Sequence, residues 1–419
     1  MSQERYKPSV NIDQAPRMLF PLLHLGTAYG FLMAAAVLLM MYGQDLARGI
    51  YSSPMVILMV HFFTLGFLSM TAMGILHQWV PVVFDTAAAP GYRVFTAFIL
   101  YLIGILVFAW GLVASELMVL GVGGTLLAVG IVVWTVGVWG QLNRSKKPRD
   151  VVFRGIQGAL LGFNVVWLLG IFMVFSFLGW WPAHHVLRVH IATALAGWMG
   201  ILILTVQQKL NPMFAMSKAE GINQGIPVYI VATGVFATWV SFFTSVVWWR
   251  IGVGLWVIAV VMMIVGSSRL VAQGKTPRLD RVFIGVAAAW GLMLAAAVAA
   301  FWLSPLAVIL AFWGMLTLIL SYQARIIPFV VAVAVSRRLP GPIYKAFFMA
   351  GAMHSKNQPI AVGALGWIGA GLMIAGRITA GATWDRAAGL IVLVLVVTQL
   401  AAMGLAMARG RSHRPTVRS

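Results

Sequence analysis

Histidine, threonine and glutamine recur in the same order at two places in this chain. His61, Thr64 and Gln78 are matched, 129 residues on and without a gap, by His190, Thr193 and Gln207. Each set lies in an apolar run, the first closed by Pro81 and the second followed by Pro212. A histidine inside an apolar segment is costly and needs a partner. Imidazole is also the commonest metal-binding side chain and the usual axial ligand of heme iron. The same histidine at the same point of two repeats suggests a paired site, and in lipid a paired site suggests a bound metal centre. His61 and His190 are therefore the candidate metal or heme ligands. Thr64 and Thr193, one turn on, are placed to touch a ligand or the helix backbone. His184 and His185 stand just ahead of the second run and could join the same site.

The elements that carry these residues are membrane helices. Hydrophobic residues make up 61% of the 419, charged residues only 9%, and mean hydropathy is +0.95. A soluble protein carries about 25% charged residues, and a spanning helix needs roughly 20 mostly apolar ones. Twelve such helices are expected, near residues 21–42, 54–80, 94–114, 117–140, 155–179, 184–208, 226–249, 251–271, 282–303, 305–334, 360–377 and 386–408. The weakest division is the polar break at Ser115 and Glu116. The whole chain, 1–419, reads as one integral membrane domain. It has no cysteine, which excludes disulfides, thiolate ligands and iron–sulfur clusters. The 43 glycines are read as points where helices approach closely.

The formal charge of +20 is explained by topology. With both termini cytoplasmic, inner segments hold 24 of the 29 basic residues, and the outer ones only Arg48, Arg188, Arg250, Arg377 and Arg386. That asymmetry follows the positive-inside rule and implies a multi-pass protein of a bacterial-type inner membrane. Anionic lipid headgroups are sufficient partners for the basic loops, and no nucleic acid is needed. In this orientation His61 and His190 lie roughly 10 Å below the outer surface, at 1.5 Å per residue. His24 and His77 fall near the inner face, with His77 read as a headgroup-level side chain. Gln78, Gln207 and Gln323 recur near inner helix ends, where they are expected to bond carbonyls freed by the prolines; a ligand or quinone role is the alternative. No Asp, Glu or Lys is expected near mid-membrane, which argues against a proton relay.

The two copies lie four helices apart, and a fainter third, Gln323 with Pro328, follows an apolar run in the tenth helix. Twelve helices in three sets of four, roughly 17–140, 151–272 and 281–408, resemble the pseudo-threefold plan of heme–copper oxidase subunit I. In that plan helices two, six and ten are inner and carry heme or copper ligands. HFFTLGFLSMTAMGILHQWVPVV, residues 61–83, resembles a segment of NnrS-like membrane proteins, relatives of that plan whose members bind heme and copper. Residues 189–214 and SYQARIIPFVV, residues 321–331, are similar to further segments of the same group.

The resemblance implies an all-α polytopic protein that binds heme b, or alternatively copper, with a redox, nitrogen-oxide response or respiratory-assembly role. Respiratory-chain components or quinone would then be its partners. The departures narrow this. The tenth helix lacks the oxidase histidine pair, the seventh lacks the copper-binding histidines, and the Trp-His-Ala-His signature is missing. Oxygen reduction by a terminal oxidase is not expected. A transporter of heme, metal or a small solute, and a cofactor-free scaffold, remain the alternatives.

Overall fold

A chain that crosses lipid must satisfy its backbone hydrogen bonds internally, and apolar stretches of this length do so as helices. The computed structural model describes residues 12–177, 179, 186–217, 225–274, 280–336, 350, 353 and 355–412. Among them no strand occurs, and twelve helices are long and apolar enough to cross a membrane. They are α1 (Leu19–Arg48), α2 (Pro54–Phe84), α3 (Gly91–Ala114), α4 (Leu117–Asn143), α5 (Val151–Ser176) and α6 (Val186–Ala215), followed by α7 (Ile226–Phe243), α8 (Val246–Ala272), α9 (Val282–Phe301), α10 (Leu306–Ser336), α11 (Gln358–Thr379) and α12 (Ala382–Gly410). The chain is an all-helical multi-pass membrane protein.

The helix ends follow local chemistry. Pro54 opens α2, where its missing N–H is no loss. Asp150 accepts from the N–H groups of Val152 and Phe153 at the start of α5, and Asp280 from Val282 at the start of α9. The expected break at Ser115 is real: Ser115 turns left-handed (φ 57°), Glu116 is extended, and α4 starts at Leu117. Two boundaries differ from expectation. The break between α7 and α8 falls at Thr244 and Ser245, not near 250, so Arg250 lies inside α8, its guanidinium over Phe301 and Trp302. The last helix begins at Ala382, not 386, and so takes Asp385 into its first turn, where it is 1% exposed. Sequence reading missed that carboxylate because it assigned the residue to a loop.

Nine helices form a closed ring in which α1, α3, α4, α5, α7, α8, α9, α11 and α12 each pack on the next, and α12 packs back on α1. The remaining three, α2, α6 and α10, lie inside it. Of their most apolar stretches 61, 67 and 72% is buried, against 50% or less in each of the others. These inner helices touch pairwise. Trp198 of α6 donates to Ser69 of α2 at 3.0 Å. Phe63 of α2 packs on Phe312 of α10 at 4.2 Å, and Tyr322 of α10 donates to Asn211 of α6 at 2.7 Å.

Candidate functional site

His61 and His190 are positioned by the same local device. His61 closes the first, regular part of α2 and His190 lies two residues before the end of that of α6, and each part leads into eight residues of wider π-helix, Phe62–Ser69 in α2 and Thr193–Gly200 in α6. At the far ends the Met70 N–H bonds the Leu65 carbonyl, and the Ile201 N–H the Ala196 carbonyl, five residues back. Such segments are rare and are found mostly at functional sites, because the extra residue re-aims the side chains around it. Thr64 and Thr193 stabilise the regular turn ahead of the widening. Their hydroxyls donate to the carbonyls four residues back, Val60 at 2.8 Å and Val189 at 2.7 Å. Both threonines thus serve the backbone, and Thr193 also accepts from the Trp239 indole at 3.1 Å. The likeness between α2 and α6 stops there: α10 is regular α-helix, with neither the histidine nor the widening.

The two rings come together. Their centroids are 6.4 Å apart and their planes 31° from parallel. Both side chains are half-buried. His61 Nδ1 lies 2.7 Å from the Ile57 carbonyl. A carbonyl can only accept, so Nδ1 carries the proton and Nε2 presents the lone pair, the state in which imidazole binds metal. On His190 the buried nitrogen Nδ1 has no hydrogen-bond partner. Phe108 of α3 walls His61 at 5.0 Å. On the other side Gly170 of α5 faces the His190 ring, where an added Cβ would be in ordinary van der Waals contact at 3.7 Å.

The spacing can be tested against ligation. With a metal–nitrogen bond of about 2.0–2.1 Å, an imidazole centroid lies about 3.2 Å from the ion, so two rings on opposite sides are separated by about 6.4 Å. The observed separation is the same. An orphaned nitrogen on the His190 ring and a His61 lone pair fixed by the Ile57 carbonyl fit a metal or heme iron between them. Phe62, Phe63, Trp198 and Met199 follow the two histidines in the chain and are the aromatic and Met side chains that could wall a macrocycle. Phe62 packs on Phe31, Phe63 on Phe67 and Phe312, and Trp198 stacks on Phe163 at 4.3 Å, while Met199 is buried in the core. Those side chains build the core, and the wall is Phe108.

The other candidates fall elsewhere. His184 and His185 lie outside the described residues, as do His354 and His413. His77, expected to face the headgroups, instead points into the bundle: it is 6% exposed and packs edge-on against His24 and Trp134. Gln323 bonds side chains and no proline-freed carbonyl, accepting from Tyr29 at 2.7 Å and donating to Thr71 at 3.5 Å. Among the described residues no group of three or more His, Asp or Glu could hold a metal, so any ion here rests on two imidazoles. No protein-family model matches the chain, and a search of curated proteins gives no match.

Proposed function

We propose that this protein binds a heme b in the outer half of the membrane, with His61 and His190 as its axial ligands, and serves a redox, nitrogen-oxide response or respiratory-assembly role. The observation that carries this reading is the meeting of two repeat-related histidines at 6.4 Å, each on an inner helix that widens close behind it. The resemblance of residues 61–83, 189–214 and 321–331 to NnrS-like proteins supports the same choice. A bound heme would supply a one-electron redox couple. With both imidazoles engaged, that group would serve electron transfer rather than gas binding. The chain's own part is to hold the rings: the Ile57 carbonyl fixes the His61 tautomer, the threonines stiffen each turn, and Phe108 covers one flank. Copper is the alternative occupant of the same nitrogens, since imidazole suits it too.

The test is a reduced-minus-oxidised visible spectrum of the full chain, purified in mild detergent from heme-sufficient cells. A sharp α-band with a shifted Soret peak is expected, lost in His61→Ala and in His190→Ala. A flat spectrum with stoichiometric copper by elemental analysis would replace heme with copper. A flat spectrum without copper would end the cofactor reading and leave transport or a scaffold role.

A further inference from the structure

A second histidine pair sits toward the other end of α2. His24 of α1 is 0% exposed and His77 of α2 is 6% exposed. Their ring centroids are 5.4 Å apart with planes at 63°. His24 Nδ1 lies 2.8 Å from the Phe20 carbonyl, so, as on His61, the proton is on Nδ1 and the lone pair on Nε2. That Nε2 is buried with no partner, and so is Nε2 of His77. The contact is built into the helix pair. A Cβ at position 74 would stand 2.6 Å from the His24 Cβ, so Gly74 is what lets His24 lie against α2. Phe98 at 4.9 Å from His24 and Trp134 at 6.3 Å from His77 complete the walls.

Chemistry narrows the occupant. Both rings are buried against Phe98 and Trp134, whereas the outer pair is half-buried, and this disfavours a macrocycle here. The two nitrogens do not bond each other, which removes a shared proton. Hard cations take oxygen ligands, and zinc ordinarily takes four ligands, whereas only two neutral nitrogens are offered here. Neutral ligands leave the ion's whole charge in a medium of low dielectric constant. The desolvation penalty is severe for one charge and grows with the square of the charge, so a monovalent ion is strongly preferred.

We propose that His24 and His77 form a two-nitrogen site for monovalent copper, Cu(I), separate from the outer histidine pair. Imidazole suits copper, and Cu(I) accepts two-coordinate sites. The 5.4 Å separation is about 1 Å shorter than two imidazoles on opposite sides of one copper ion would have with bonds near 2.0 Å, so the rings would draw apart by about that much on loading.

The probe is Cu(I) itself, titrated anaerobically into the full chain in competition with a chromophoric chelator. The background is His61→Ala/His190→Ala, so that failure of the outer site and failure of this one are read separately. That protein should take up one equivalent of Cu(I), with X-ray absorption showing two imidazole scatterers. Adding His77→Phe, which keeps the ring volume, should weaken binding by about a hundredfold or more. If the background variant does not fold, His77→Phe alone in the otherwise unchanged chain should remove one equivalent of copper and leave any heme spectrum intact. No uptake by the folded background protein, undiminished uptake after His77→Phe, or displacement of the copper by equimolar zinc would each overturn the proposal.

Discussion

A buried indole N–H is unfavourable unless it finds an acceptor, and for Trp198 that acceptor is the Ser69 hydroxyl, 3.0 Å away on α2. The two residues are 129 positions apart, the same offset as His61 and His190. Equivalent points of α2 and α6 therefore meet at two depths, as expected of helices that run the same way through the membrane. Ser69→Ala leaves the indole without a partner and should lower stability by about 1–2 kcal/mol. In a cycle with Trp198→Phe the coupling should be about 0.6–1.7 kcal/mol, the range found between membrane helices. Thermal midpoints of the four proteins in detergent measure it; strictly additive losses would show that the bond contributes nothing. At this scale the pairing of His61 with His190 was legible in the sequence because each stands in the same order of His, Thr and Gln. The inner pair was not, since His24 and His77 occur once each and share no spacing signal. What joins them is the close approach at Gly74, a contact between two helices that only the fold displays.

Helices pack in lipid by shape, and small residues set how close they come. The α3–α4 hairpin carries this furthest. A Cβ on Gly123 would stand 2.2 Å from the Phe108 backbone nitrogen, one on Gly111 2.4 Å from that of Leu120, and one on Gly104 2.5 Å from that of Leu127. Backbone cannot yield as a flexible side chain does. Gly123→Leu should therefore splay the hairpin and lower the thermal midpoint sharply, moving Phe108 away from His61. Gly121→Ala, two residues earlier, meets nothing within 4 Å and should be neutral. Equal behaviour of the two variants would refute backbone contact as the cause. The twelve helices themselves were readable, because each needs an apolar run that composition cannot hide. Their glycine-to-backbone register was not, since 43 glycines in one chain do not say which of them face a partner. Nor could apolarity place the α7–α8 break, where Thr244 and Ser245 interrupt a run that stays apolar on both sides.

The whole molecule has two unlike ends. At one, Lys147 donates to the Val83 carbonyl at 2.7 Å and Ser145 to the Phe84 carbonyl at 2.8 Å, so the basic loop between α4 and α5 closes the end of α2. A cation at a helix C-terminus meets the negative end of its dipole. Arg144, Lys146, Arg149 and Arg154 lie in the same loop or at its helix ends. At the opposite end basic residues are few, and two of them are held by the bundle: Arg377 donates to the Ala47 carbonyl, and Arg250 lies over aromatic rings. The positive-inside rule then predicts that the Lys147 end faces the cytoplasm and that the outer histidine pair lies near the far surface. The absence of cysteine makes this directly measurable, because a single introduced thiol has no background. Ser52 and Lys146 are exposed at opposite ends. In intact bacterial cells a membrane-impermeant maleimide should label Ser52→Cys at once and Lys146→Cys only after lysis. The reverse pattern would invert the molecule, carry His61 and His190 to the cytoplasmic side, and move any electron donor to that pair across the membrane with them.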